Sequence, residues 1–254
     1  MMTSPSISTI KAVFFDLSGV LYIGTDALPG AVETVNRLRQ HGFILRFVTN
    51  TASQPSEMIL RQLTRLGFEM TETELFTAPK AAKHYLLHHQ LRPFCLIHTL
   101  LKSEFEDIDQ TNPNCVLLGD AQENLTYQNL NKAFNLLEQG YPLIGIGKNK
   151  YYKDAEGFKL DAGTFIHALE WASDTQAIIT GKPDKTFFEE VVASTGLSAN
   201  QCLMIGDDVI GDVEGAIHAG LQAKLVRTGK YKDSDQNLLP KNADILDSVA
   251  DLHF

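Results

Sequence analysis

Four short apolar runs, scattered along the chain, each end on residues equipped for chemistry. Ala12-Val13-Phe14-Phe15 leads into Asp16, and Phe43 to Val48 into Thr49 and Asn50. Ile178-Ile179 leads into Thr180-Gly181-Lys182, and Cys202 to Ile205 into Gly206-Asp207-Asp208. Such uniformly apolar runs suit strands buried on both faces rather than strands with one wet side. Helical periodicity lies between them. Ala31, Val35 and Leu38 follow Pro29-Gly30, and Ile59, Leu63 and Leu66 precede Gly67. Strands alternating with helices build a parallel sheet covered on both faces, which is an α/β fold. Open sheets of this kind bind ligands outside the carboxyl ends of their strands, where these polar residues stand.

More than a hundred residues separate Asn50 from Lys182, too many for two strand–helix units. Inside that stretch the rhythm restarts. Phe94 to His98, Cys115 to Leu118 and Pro142 to Ile146 read as strands. Leu130, Phe134 and Leu137 mark one helix, and Gly163 to Trp171 another. The expectation is a second α/β module, 79–179, inserted into a discontinuous domain of 1–78 and 180–254. Val20 to Leu28, around Gly24, is expected to form a small hairpin. Pro183 is expected to open a helix.

The four strand ends carry a coherent set of groups. Asp16 is a candidate nucleophile, followed by Gly19, which lets the chain turn sharply. Thr49 and Asn50 are candidate donors to phosphate oxygens. Lys182 is a fixed cation that can meet charge building on a phosphate. Asp207 is the expected direct Mg²⁺ ligand, with Asp208 and Asp212 holding the ion through water or through bonds to its ligands. The bland alternatives are a capping role for Asp16, polar turns at Thr49 and Asn50, a solvated Lys182, and acidic residues that merely cap the helix after Ile205. Taken together, the set suits Mg²⁺-assisted phosphoryl transfer.

The order, spacing and strand context resemble the haloacid dehalogenase superfamily, whose motifs read DxDx[TV], [ST], K and GDxxx[D] or GDxxxxD. The resemblance covers nearly the whole chain. It implies a Rossmann-like parallel-sheet core with an inserted α/β cap, Mg²⁺ as cofactor and catalysis through an aspartyl-phosphate. It also gives Ser18 a place on the metal, through its backbone carbonyl. One departure stands out: the second Asp of the first motif is Ser18. The usual Asp moves protons for the leaving group and the water, and a serine hydroxyl does neither well near neutral pH. The runs RPFCLIH, YQNLNKAF, YYKDAEGFKLDAG and MIGDDVIGDVEGA resemble a subgroup that also carries Ser there. That narrower likeness implies Mg²⁺-dependent hydrolysis of P–N bonds, as in phospholysine or phosphohistidine, and of pyrophosphate, by a homodimer.

A net charge of −9 and a pI near 5.3 argue against nucleic acid or an anionic membrane as a partner. No apolar stretch approaches the length of a membrane span. The polar N-terminal segment, 1–9, has no apolar signal core. Cys95, Cys115 and Cys202 are odd in number, widely spaced and set in apolar runs. They are expected to be core thiols in a reducing cytoplasm. Lys148, Lys150, Tyr151, Tyr152 and Lys153 form a basic–aromatic cluster that suits either an anionic substrate or solvent. The rival functions are a phosphatase of a small phosphorylated metabolite, such as a sugar or nucleotide phosphate, and a non-catalytic binder of a phospho-ligand or partner.

Overall fold

The computed structural model describes residues 10–154 and 157–254, so the N-terminal segment 1–9 lies outside the described residues. Contacts divide the chain into two compact units. The first comprises 1–49, 60–76 and 185–254, and the second 50–59 and 77–184. The expected boundaries kept 50–59, 77–78 and 180–184 with the first domain, whereas the contacts group these segments with the second unit. A local cause is visible at 50–59. The backbone N–H of Ser56 donates to Glu104 Oε1 at 2.6 Å, and Ala52 belongs to a core cluster with Leu101, Phe105 and Ile146.

The first unit begins with β1 (Ala12–Asp16) and a small antiparallel hairpin, β2 (Tyr22–Ile23) and β3 (Asp26–Ala27), as the turn at Gly24 suggests. Helix α1 (Ala31–Gln40) follows, burying the expected face of Ala31, Val35 and Leu38. Strand β4 is Ile44–Thr49, and α2 is Ser56–Arg65. Gly67, with φ +93°, ends that helix by donating to the Thr64 carbonyl. Strand β5 (Leu75–Thr77) leads into the second unit.

There the chain forms α3 (Ala78–His88), β6 (Pro93–Leu96), β7 (Cys115–Leu118) and α4 (Tyr127–Leu137). It continues through β8 (Leu143–Gly145), the hairpin β9 (Tyr151–Asp154) and β10 (Gly157–Leu160), α5 (Ala162–Ser173) and β11 (Ile178–Ile179). The helices start where side chains accept a backbone N–H: Thr77 for α3, Thr126 for α4 and Asp161 for α5. The parallel sheet β11-β8-β7-β6 buries Leu117 and Ile144 in one core cluster and Val116 and Leu118 in another, so both of its faces are covered.

The chain returns to the first unit with α6 (Lys185–Ala193), β12 (Cys202–Gly206), α7 (Gly215–His218), β13 (Gln222–Val226) and β14 (Asp244–Leu246). The helix expected from Pro183 starts only at Lys185. Pro183 instead lies in a turn, after a cis peptide from Lys182, closed by the Asp184 N–H on the Gly181 carbonyl. The main sheet runs β14-β13-β12-β1-β4-β5. β1 pairs in parallel with β12, Phe15 opposite Ile205, and with β4, Asp16 opposite Val48. Every residue of β1 and β12 is buried, as continuous apolar strands require. From β1 the chain order moves outward in both directions. The carboxyl ends of β1 and β12 therefore flank the switch point where such sheets bind ligands.

Candidate active site

Asp16 is the last residue of β1, and Asp207 follows the last residue of β12. Adjacent strands ending at one level bring the two carboxylates together. Asp212 joins them from the helical turn Val209–Glu214, which follows β12. Ligand atoms of Asp16, Asp207 and Asp212 all lie within 4.8 Å of one another, and all three residues are buried. The approach depends on Gly206, where a Cβ would sit 2.1 Å from the Asp212 Cβ. Ionised pairs at this spacing repel by on the order of 3 kcal/mol each at an effective dielectric near 20. Burial, then Asp16 and Asp212, push the Asp207 carboxyl well above its ordinary range, against the pull of Lys230. Burial, and then Asp16, raise the Tyr22 hydroxyl to about 12.

A loop after β13 completes this end of the first unit. The Thr228 hydroxyl donates to the Gly19 carbonyl. Gly19 (φ +91°) and Gly229 (φ +64°) flank Asp207, and a Cβ on either would come within 2.1 Å of its Oδ2. That oxygen accepts the Lys230 backbone N–H at 2.8 Å. The Lys230 ammonium donates to Asp208 Oδ2, also at 2.8 Å. Burial alone would lower the pKa of this lysine, but Asp208, Asp207 and Asp212 outweigh it and drive the pKa up. Lys230 was missed in the sequence, which reads only Val226-Arg227-Thr228-Gly229-Lys230 there. The available signal was a short strand-like run, Gln222 to Val226, apolar at Ala223, Leu225 and Val226, followed by a glycine and a cation.

Asp208 stays out of the carboxylate cluster. Its Oδ1 accepts the N–H groups of Ile210 at 3.0 Å and Gly211 at 2.9 Å, which makes it the helix cap, and its Oδ2 takes Lys230. Its own N–H donates to Asp212 Oδ2 at 3.2 Å. Thr49 ends β4, beside β1, and is buried. Ser18 is exposed in the turn after β1, bridged to Tyr22.

In the second unit the structure brings Asn50 and Lys182 together. Asn50 Oδ1 accepts the Lys182 N–H at 2.8 Å, and Asn50 Nδ2 donates to the Lys182 carbonyl at 2.7 Å and to Asn149 Oδ1 at 3.4 Å. The Asn50 amide is thus a brace for the main chain of Lys182, and in this arrangement its donors are engaged there rather than held out for phosphate. Gly181 makes the brace possible, since a Cβ there would lie 2.5 Å from Asn50 Oδ1. In the basic–aromatic cluster, Lys148 is paired with Glu170 at 2.8 Å and Tyr151 packs edge-on against Phe158. The side chain of Lys153 lies outside the described residues. All three cysteines are free thiols, Cys115 and Cys202 buried and Cys95 partly so.

The donor set fits a hard divalent cation. Three carboxylates converge, and Asp207 Oδ1 is buried with no hydrogen-bond partner among the described residues. A buried carboxylate oxygen without a donor is costly unless a cation meets it. No described helix is long and apolar enough to cross a membrane.

Comparison with known proteins agrees with this geometry. The family described as haloacid dehalogenase-like hydrolase matches residues 13–111, and a second, described as HAD-hydrolase-like, matches 179–252. Haloacid dehalogenase-like hydrolase domain-containing protein 2 of Pongo abelii is 46% identical over 227 residues, 89% of this chain and 88% of that protein. Phospholysine phosphohistidine inorganic pyrophosphate phosphatase of Homo sapiens is 43% identical over 253 residues, 96% of this chain and 93% of that one. A glycerol phosphate phosphatase from Mycobacterium tuberculosis, solved in complex with magnesium, superposes with a TM-score of 0.83 at 25% identity, over 97% of this chain and 78% of that one. With relatives this similar over most of its length, the chain belongs to the haloacid dehalogenase-like hydrolases and is an enzyme of the phosphatase type.

Proposed function

We propose that the chain is a Mg²⁺-dependent phosphohydrolase that works through an aspartyl-phosphate on Asp16 and favours P–N bonds or pyrophosphate. The carrying observation is the buried trio Asp16, Asp207 and Asp212 with the partnerless Asp207 Oδ1. In this reading the three carboxylates and the Ser18 carbonyl hold the ion. Bound Mg²⁺ supplies charge neutralisation between the nucleophile and the phosphate. A relative named for phospholysine, phosphohistidine and pyrophosphate, and a structural neighbour solved with magnesium, support the reading.

Asp16 attacks phosphorus, a bond forms from its carboxylate oxygen, and the bond to the leaving group breaks. Thr49 donates to a phosphate oxygen, and Lys182, its main chain braced by Asn50, carries the positive charge that stabilises the transferring group. Water then cleaves the acyl phosphate and releases inorganic phosphate. Ser18 can orient that water but does not move its proton. A site without a carboxylic acid there suits leaving groups that need little help. The nitrogen of a phosphoramidate carries its own proton, and the leaving phosphate of pyrophosphate is a stable anion. Alkyl phosphates lack both advantages. A homodimer and a cytoplasmic setting belong to the same reading and rest on the resemblance.

The test is a rate series over leaving groups of rising basicity, for wild type and Ser18→Asp, with Mg²⁺ and with chelator. Pyrophosphate, phosphoramidates and aryl phosphates should outrun sugar phosphates in wild type. Ser18→Asp should narrow the gap, since general acid–base help is typically worth about 10²–10⁴-fold. Equal rates on alkyl phosphates and pyrophosphate would move specificity away from Ser18, and full activity in chelator would remove the metal.

A further inference from the structure

Two neighbouring aspartates after β12 have opposite fates. Asp207 belongs to the carboxylate cluster and keeps one buried oxygen without a hydrogen-bond partner among the described residues, while Asp208 is engaged by the helix N–H groups and the Lys230 ammonium. We propose that Lys230 is a positioning residue that sets metal selectivity, by holding Asp208 out of the cluster while its backbone fixes Asp207 within it. The proposal rests on the metal-dependent reading above.

The geometry gives Lys230 two separate grips. Its N–H holds Asp207 Oδ2, and Oδ1 keeps no hydrogen-bond partner among the described residues, which suits it to meet a cation. Its ammonium holds Asp208 Oδ2 at 2.8 Å, and the helix N–H groups of Ile210 and Gly211 hold Oδ1. The loop carrying Lys230 is itself pinned by Thr228 on the Gly19 carbonyl, and Gly229 allows its close approach to Asp207. Three carboxylates remain to meet a metal. That number matters. Mg²⁺ takes an octahedral shell, keeps several waters and binds through few carboxylates plus substrate oxygen. Ca²⁺ takes six to eight oxygens at longer range and gains from every added carboxylate. Withholding the fourth carboxylate leaves room for water and phosphate and denies Ca²⁺ its extra ligand.

Without the ammonium, Asp208 loses the charge that holds its Oδ2 while the helix-end N–H groups still hold Oδ1, and its neighbour in sequence is already a cluster member. The variant Lys230→Met keeps the backbone N–H on Asp207, so it separates the two grips. Calorimetric titration of metal-free protein with Mg²⁺ and with Ca²⁺ reads the effect directly, without turnover. Wild type should prefer Mg²⁺. Lys230→Met should shift the ratio of the two dissociation constants toward Ca²⁺ by about tenfold, the lower end of what residues behind metal ligands contribute. The double variant Lys230→Met/Asp208→Asn should restore the wild-type ratio, because the released ligand is gone.

A general gain in cation affinity from the lost positive charge would strengthen both ions alike and survive in the double variant; that result overturns the proposal. So does a ratio unchanged within about twofold in Lys230→Met. A lysine that only stabilises the fold would lower the melting temperature equally with Mg²⁺ and with chelator and leave the ratio alone, which also overturns it. If Lys230→Met does not fold, Lys230→Arg, which keeps the charge but changes the reach, supplies the ratio instead, and a wild-type ratio there combined with loss of Mg²⁺ preference in Lys230→Gln supports the proposal. Failure of wild type to bind either ion refutes the metal reading, not the selectivity argument alone.

Discussion

The two units each contain a parallel sheet covered on both faces, yet the residues after their strands are held in different ways. In the first unit, β1 and β12 deliver Asp16 and Asp207 to one place, Asp212 joins them, and Asp207 Oδ1 has no hydrogen-bond partner among the described residues. In the second, the turn after β11 is organised by neutral hydrogen bonds. Thr180 donates to the Gly145 carbonyl, and Asn50 grips both polar groups of the Lys182 main chain. The same architecture therefore supports two kinds of site. One gathers carboxylates and suits a cation, and the other is braced by main-chain hydrogen bonds. Parallel sheets supply the location, and the residues after each strand supply the chemistry.

The largest expected effect lies in the first unit. Asp16→Asn should cut turnover at least about 10⁴-fold, because the amide keeps the shape and loses the nucleophile. In chelator the same variant should melt higher than wild type, since one of three mutually repelling carboxylates is gone. The two readouts move in opposite directions. Retained turnover would end the covalent mechanism, and an unchanged or lower melting temperature in chelator would mean that the cluster is not strained.

Two glycine-to-alanine variants sharpen the contrast. Gly19→Ala forces a Cβ to within 2.1 Å of Asp207 Oδ2 at a residue with φ +91°, so it should weaken Mg²⁺ binding by about 10–100-fold. Gly181→Ala crowds Asn50 Oδ1 at 2.5 Å and the Ala78 Cβ at 2.7 Å, and should disturb the Lys182 turn with Mg²⁺ affinity intact. Calorimetry on both separates the metal end from the cation end. Equal loss of Mg²⁺ affinity in both would erase the distinction. Asn50→Ala should be milder. It removes the Asn50 amide from the N–H and C=O of Lys182, a cost of about 1–3 kcal/mol, and should lower kcat more than it changes metal binding. Thermal melts and single-turnover rates check both halves.

Much of this comparison is legible in the sequence, and the exceptions share a cause. Asp16, Thr49, Lys182 and Asp207 stand out because each follows an apolar run, and strand ends are set by local pattern. The inserted α/β module is legible as a restart of the same rhythm. What escapes is whatever depends on the far side of the fold. Lys230 meets Asp207 and Asp208 only because β13 pairs with β12. Residues 50–59 join the second unit through Glu104, whose reach to Ser56 no local pattern announces. Asp208, which the sequence offers either as a group holding the ion through water or as a helix cap, is bound by the helix N–H groups and by a lysine remote in sequence. Pro183 carried a sound helix-start signal, but a turn took it first.

The smallest expected effect probes whether the second sheet is as free of electrostatic strain as its Lys182 turn. Asp120 follows β7, is buried, and accepts a hydrogen bond from Gln122 at 3.2 Å. Burial raises its carboxyl above the ordinary range, opposed in part by Gln122 and His98. A carboxyl with a raised folded-state pKa binds its proton more tightly in the folded chain. Stability is then lost as pH rises from the unfolded-state value toward the folded-state one, and the penalty persists at neutral pH. Asp120→Asn removes the ionisation while keeping an acceptor for Gln122. The variant should melt slightly above wild type at neutral pH, and the difference should fade as pH falls below the usual carboxylate value of about 4. Melting curves between about pH 3.5 and 7, with Mg²⁺ and with chelator, decide it. The difference should be the same in both, because Asp120 is not part of the carboxylate trio. A variant that melts lower at neutral pH would mean that the ionised form is held by its surroundings. The second sheet would then carry a built anionic site of its own, and the contrast between the two sheets would be one of degree.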